Sequence, residues 1–180
     1  MATTDLRLPA IAELDALPEA AVSDALALLF EGSPRFVMRL AGCRPFGTDE
    51  ALLACARSVA LGMPREERIE LLNSHPRIGA DPRAVSALSY REQGYGHDSA
   101  VGQAELRRIQ ADLDRLNAEY ERRFGFRCVV YVAGRSRAEI VPVLEDRLGA
   151  DPDEELRRGL GDVIAIAGDR LERLREETER

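Results

Sequence analysis

Between about Ser99 and Phe124 the residues Leu106, Ile109, Leu113, Leu116 and Tyr120 recur at steps of three and four, with arginine, glutamate and aspartate between them. That period puts the apolar side chains on one stripe, so the stretch predicts a long amphipathic helix closed by Gly125. The same spacing recurs in shorter pieces. A helix is expected from about Pro18 through Val22, Ala25, Leu26 and Leu29 to a stop near Gly32. Ser33-Pro34 opens a short one carrying Phe36, Val37 and Leu40, closed by Gly42. Thr48, with Asp49 and Glu50 after it, caps a helix of Leu52, Leu53, Ala56, Val59 and Ala60 that ends at Gly62. Pro64 starts the next, with Ile69 and Leu72 inward. Ser136 and Glu139 form a capping box for a helix through Ile140, Leu144 and Leu148, with Pro142 inside it as a possible kink. Asp151-Pro152 begins the last helix, whose Leu156, Leu160, Val163, Ala167, Leu171 and Leu174 face inward. Only Phe126 to Ala133 reads as β-prone, and one strand cannot make a sheet. It is expected to be a buried extended segment or a buried helical turn. The sum is an all-α, single-domain bundle of seven to eight helices.

Composition narrows the partners. The 180 residues are 45% apolar, enough for one sizeable core, and 32 acidic against 25 basic residues give a net charge of −7, which argues against a nucleic-acid partner. No apolar run approaches the roughly 20 residues that cross a bilayer, and Met1 to Leu8 lacks a basic-then-apolar export pattern, so no membrane partner is expected. Cys43, Cys55 and Cys128 are odd in number and lie in apolar or helical contexts, which predicts reduced thiols and a cytoplasmic protein. The final Glu177-Thr178-Glu179-Arg180 is no peroxisomal address.

With His75 and His97 the only histidines, and no cysteine or carboxylate spaced with them as ligands, no metal is expected. Phosphate loops, dinucleotide fingerprints and nucleophile elbows are missing from the sequence, so neither nucleotide nor covalent serine chemistry is expected. Two short segments remain informative, Leu72 to Gly79 and Leu88 to Gly94. Pro76 biases His75 away from helical geometry, which sets the imidazole on a constrained corner just past a helix end. There it could serve catalysis or merely cap the preceding carbonyls. Ser89 and Glu92 have the spacing of an ordinary capping box, yet with Gln93 beside them a helix start of this kind also offers N–H groups and directed hydrogen bonds to an anion. His97, in a loop of glycines, reads as a solvated residue or part of a lid.

These two segments, in this order, resemble the decarboxylases of 2-oxo-4-hydroxy-4-carboxy-5-ureidoimidazoline (OHCU). The resemblance spans nearly the whole chain through Ser33-Pro34, Arg44-Pro45-Phe46, Leu116-Asn117 with Tyr120 and Phe124-Gly125, and the stretch from Arg147-Leu148 through Glu154-Glu155 to Arg170-Leu171. It implies an all-α fold, a homodimer, no metal or organic cofactor, and release of carbon dioxide from a small ureide to leave allantoin. It also implies that His75 and Glu92 are catalytic, and that Pro76, Ser89, Gln93, the stretch Cys128, Val129, Val130, Tyr131 and Val132, and Arg170 bind substrate. Where many members carry His-Pro-Asp-Leu this chain has Arg77-Ile78, as in a bacterial subgroup. Where many have Phe-Pro-Phe it has Phe126-Arg127-Cys128. Two other readings stay open: a helical interaction module that keeps the scaffold without activity, and a cofactor-free lyase acting on a related ureide.

Overall fold

The stripes and caps are realised in a computed structural model, which describes residues 8–81, 85–86, 92–93 and 102–178. Among the described residues there are eight helices and no strand: α1 (Ile11–Ala16), α2 (Glu19–Ala27), α3 (Pro34–Ala41), α4 (Asp49–Gly62), α5 (Arg65–Asn73), α6 (Gln103–Phe124), α7 (Arg137–Arg147) and α8 (Pro152–Thr178). The fold is all-α. Backbone contacts group the chain into two compact units, Met1–Ser74 with Ile164–Arg180, and His75–Val163, so the residues of α8 are divided between them.

In the first unit α3 packs against α2, α4 and α5, and its Phe36, Val37 and Leu40 are buried. Phe30 meets Phe36 edge to face, with ring centroids 4.8 Å apart. Thr48 Oγ1 accepts from the Ala51 N–H at 3.1 Å, a cap worth about 1 kcal/mol, and α4 ends at Gly62 as its sequence predicts. Arg175 ties the later turns of α8 to the start of α4 through two bonds to Asp49, at 2.9 and 2.8 Å, and it also donates to the carbonyls of Leu8 and Pro9. Two boundaries differ from the sequence reading. The helix expected to reach Gly32 closes at Ala27, and the buried Leu29 and Phe30 lie in the turns that follow, where the chain passes through left-handed Gly32 before Pro34. Helix α1 has no counterpart in the reading because its six residues bury only Leu14, too little for a visible stripe.

The second unit is built on α6, which packs against α7 and buries Ile109, Leu113, Leu116, Asn117, Tyr120 and Phe124. Gly125 closes α6 with φ at +79°, a left-handed residue that suits glycine. Beyond it, residues 127–132 run without helix or strand while Phe126, Cys128, Val129, Val130 and Val132 are buried. Of the two forms expected for this stretch, the helical turn is not found. Ser136 and Glu139 make the reciprocal capping box at the start of α7, and the helix continues through Pro142 to Arg147. Asp151 Oδ1 accepts from the N–H groups of Asp153 and Glu154 and so caps α8.

Candidate active site

Proline at position 76 keeps the chain out of helical geometry, and from His75 to Gly79 it turns a corner that buries His75, 7% exposed, and Ile78, 5% exposed, while Arg77 faces solvent. In an all-α unit no neighbouring strand can satisfy such a backbone, so side chains do it. Arg127 Nη1 donates to the His75 carbonyl at 2.9 Å, and Asn117 Nδ2 to the Ile78 carbonyl at 2.9 Å. Gly79 donates its N–H to Gln93 Oε1 at 3.1 Å and accepts from Gln110 Nε2 at 2.8 Å. Gln110 is itself oriented, because Arg137 donates to its Oε1 at 2.9 Å. Gly79 is required twice over: its φ is +77°, and a Cβ there would lie 2.9 Å from Leu113 Cδ1. Outside the corner, Arg77 forms two bonds to Glu121 at 2.7 and 2.6 Å; this pair raises the pKa of the arginine.

The segment after Gly125 is held differently. Arg147 Nη1 donates to the Val129 carbonyl at 2.8 Å, while its other nitrogen meets Asp162. Glu155, fully buried, lies 3.4 Å from Arg147 and accepts from Tyr120 Oη at 2.8 Å and Arg158 Nη1 at 3.2 Å. Burial works to lower the Arg147 pKa, but the Asp162 carboxylate and its other partners outweigh it and raise it. Burial, then the neighbouring Cys128 and Glu155, pushes the Tyr120 phenol far above its ordinary range, and burial pushes the Cys128 thiol up to about 12. Arg135 donates to the carbonyls of Val132 and Tyr131 at 2.9 and 2.6 Å. The carbonyls of Val129, Tyr131 and Val132 are thus engaged. Among the described residues none accepts a hydrogen bond from the N–H of Val129, Val130 or Val132, although all three residues are buried. Buried N–H groups left in that condition favour an incoming acceptor such as a carbonyl or carboxylate.

The structure therefore brings His75, Pro76 and Gln93 to one corner, with Arg127 linking that corner to the segment containing Cys128 to Val132. Glu92 is half-buried beside Gln93 in the chain. Gln93, 4% exposed, spends its side-chain oxygen on the corner backbone. Ser89 and His97 lie outside the described residues. Arg170 belongs to the first unit, where its guanidinium is 1% exposed, donates to the Leu29 carbonyl at 3.2 Å and lies 3.8 Å from the Glu31 carboxylate. Sequence reasoning missed the positioning roles of Gln110, Asn117 and Arg147. One trace was visible: Asn117 interrupts an apolar stripe between Leu116 and Tyr120, and a polar residue on a buried face needs a partner.

Fold and site together define an all-α protein that fixes a buried histidine corner and a run of backbone donors by side-chain hydrogen bonds. Residues 15–172 match the model of the OHCU decarboxylase family, and the chain belongs to that family. It is 30% identical over 151 residues to the 2-oxo-4-hydroxy-4-carboxy-5-ureidoimidazoline decarboxylase of Mus musculus, covering 82% of this chain and 83% of that one. The enzyme of the same name from Haloferax volcanii is 28% identical over 159 residues, 88% of this chain and 92% of that protein. A relative from Bacillus subtilis, the uric acid degradation bifunctional protein PucL, is 29% identical over 159 residues, and the chain spans only 31% of its length. Among solved structures, an OHCU decarboxylase crystallised in the presence of (S)-allantoin superposes with a TM-score of 0.65 at 22% identity, covering 84% of this chain and 96% of that one. An (S)-allantoin synthase gives 0.66 at 21% identity, covering 92% of this chain and 53% of that one. These two likenesses establish the fold.

Proposed function

We propose that this chain is a carboxy-lyase that decarboxylates OHCU to (S)-allantoin and carbon dioxide in urate degradation, working as a single domain without metal or organic cofactor. The observation that carries the reading is the family match over residues 15–172, which runs through both compact units. The geometry adds a reason: a buried histidine at a pinned backbone corner, near a run of backbone N–H groups that no described residue engages, suits a small, polar, anionic ureide.

Loss of carbon dioxide leaves an electron pair that the adjoining carbon–nitrogen system of the ring can absorb, so the protein needs to orient, desolvate and move protons. His75 takes the proton from the substrate hydroxyl, whose carbon becomes a carbonyl once carbon dioxide has left, and returns one to the adjoining ring carbon that bears the ureide; delivery from one face makes the product one-handed. Glu92 orients the imidazole or binds the ureide N–H groups. Pro76, Ser89 and Gln93 shape the pocket, and the N–H groups from Cys128 to Val132 receive the oxygens of the ring or ureide. Arg170 pairs with the carboxylate, a geometry that a planar guanidinium favours. Assembly as a homodimer and a cytoplasmic location complete the proposal; the three cysteines, all free, agree with a reducing compartment. The proposal includes the bacterial His-Pro-Arg-Ile-Gly form of the family, a reading supported by Arg77-Ile78.

The test follows freshly generated OHCU by absorbance and circular dichroism. Wild-type protein accelerates decay and gives one-handed allantoin; a spontaneous rate with racemic product refutes the activity. His75→Asn lowers kcat by about 10²-fold or more, and Arg170→Gln chiefly raises KM. Normal turnover in the first or an unchanged KM in the second removes that residue from the mechanism.

A further inference from the structure

The His75–Pro76 peptide unit has a single hydrogen-bonding group. Proline carries no N–H, so the plane of that peptide can be pinned only through the His75 carbonyl. Arg127 takes that handle, at 2.9 Å. The downstream end of the corner is held independently by Asn117, Gln93 and Gln110. The carbonyl and the imidazole of His75 share one Cα, so rotation of the peptide plane swings one relative to the other. Arg127 also has a fixed root: its chain neighbours Phe126 and Cys128 are each 1% exposed. It stands two to five residues before the buried N–H groups of Val129, Val130 and Val132, which places one side chain between the register of the base and that of the binding segment.

We propose that Arg127 is a positioning residue for this reaction: by holding the His75 carbonyl it sets the direction of the imidazole relative to the segment that receives substrate. The inference rests on the reading of His75 as the catalytic base. Arg127 acts through His75 and contributes to turnover rather than to substrate affinity. Its bond ties the stretch after Phe126 to the upstream half of the corner, and a misplacement of about 1 Å at a reacting group can cost roughly 10²-fold in rate.

Steady-state kinetics on OHCU with R127M, R127K, H75N and the double variant H75N/R127M test this. R127M is expected to lower kcat between roughly 10- and 100-fold with KM little changed. R127K, which keeps one cationic donor to the carbonyl, recovers most of that loss. In the H75N background R127M adds no further loss, because the group it positions is gone. A raised KM with intact kcat in R127M, losses that multiply in the double variant, or normal kinetics in R127M while H75N is impaired would each overturn the proposal and leave the base assignment standing. Full turnover by H75N would instead remove the base assignment, and this proposal with it. Should R127M fail to fold, R127Q replaces it, with the same expectations and the same refuting results.

Discussion

The two irregular stretches of the second unit solve one problem by different means. The His75 to Gly79 corner relies mainly on neutral amides, from Asn117, Gln93 and Gln110, with one guanidinium from Arg127. The segment after Phe126 relies on guanidinium groups: Arg135 at one end, and Arg147 tied into Glu155 and Asp162 in its middle. Both are buried, and neither has a sheet to pair with. Neutral hydrogen bonds contribute about 0.5–1.5 kcal/mol each and charge-assisted ones about 1.5–3. The segment after Phe126 is therefore anchored as part of the unit's stability, whereas the corner that carries the imidazole is held mostly by weaker bonds, whose loss is expected to redirect it without unfolding the unit.

That contrast can be broken first at Arg147. Arg147→Met leaves Glu155, which is fully buried, and Asp162 without their shared cation, and it frees the Val129 carbonyl. Breaking such a pair costs about 3–5 kcal/mol, and urea unfolding should show the midpoint falling accordingly. A midpoint within error of the wild type would end the claim that the segment is anchored by charge. The corner should respond less. Asn117→Leu removes the donor from both the Ile78 and Leu113 carbonyls, costs about 1–3 kcal/mol, and lowers kcat in protein that remains folded. Equal damage from the two substitutions would erase the distinction. At the small end stands Arg77→Ala. Its bonds to Glu121 are short, but the Arg77 side chain is 51% exposed, so the loss is expected to stay under about 1 kcal/mol and to shrink further at high salt, as thermal melts in two salt concentrations would reveal.

Helix starts and stops are local chemistry, and so they were legible: Thr48, the Ser136 and Glu139 pair, Asp151 and Gly125 all act as their positions in the sequence predict. The buried stripes of α6 and α8 follow for the same reason, since period 3.6 is written along the chain. The end of α2 was not, because Leu29 and Phe30 are buried from turns and apolar burial alone does not report backbone form. Of the site, Pro76 announces a corner at His75. Its supports do not announce themselves: Asn117 reaches a carbonyl 39 residues away, Gln110 one 31 away and Arg127 one 52 away. A single side chain bonding to a distant backbone leaves no spacing to read. Family resemblance marked Asn117 and Tyr120 without saying what they do, and the hydrogen bonds supply that.

Cys128 lies inside the stretch between Phe126 and Val130, 1% exposed, with its thiol pushed by burial up to about 12, while Cys43 is open to solvent. Alkylation needs a thiolate and an approach path, so the buried sulfur can react only in moments when its surroundings come apart. The chain thereby carries its own stopwatch for local opening. Under a fixed dose of iodoacetamide, peptide mass spectrometry should find Cys43 modified early and Cys128 only in step with denaturant, and simultaneous modification would mean that this part of the interior breathes far more freely than its bonds imply.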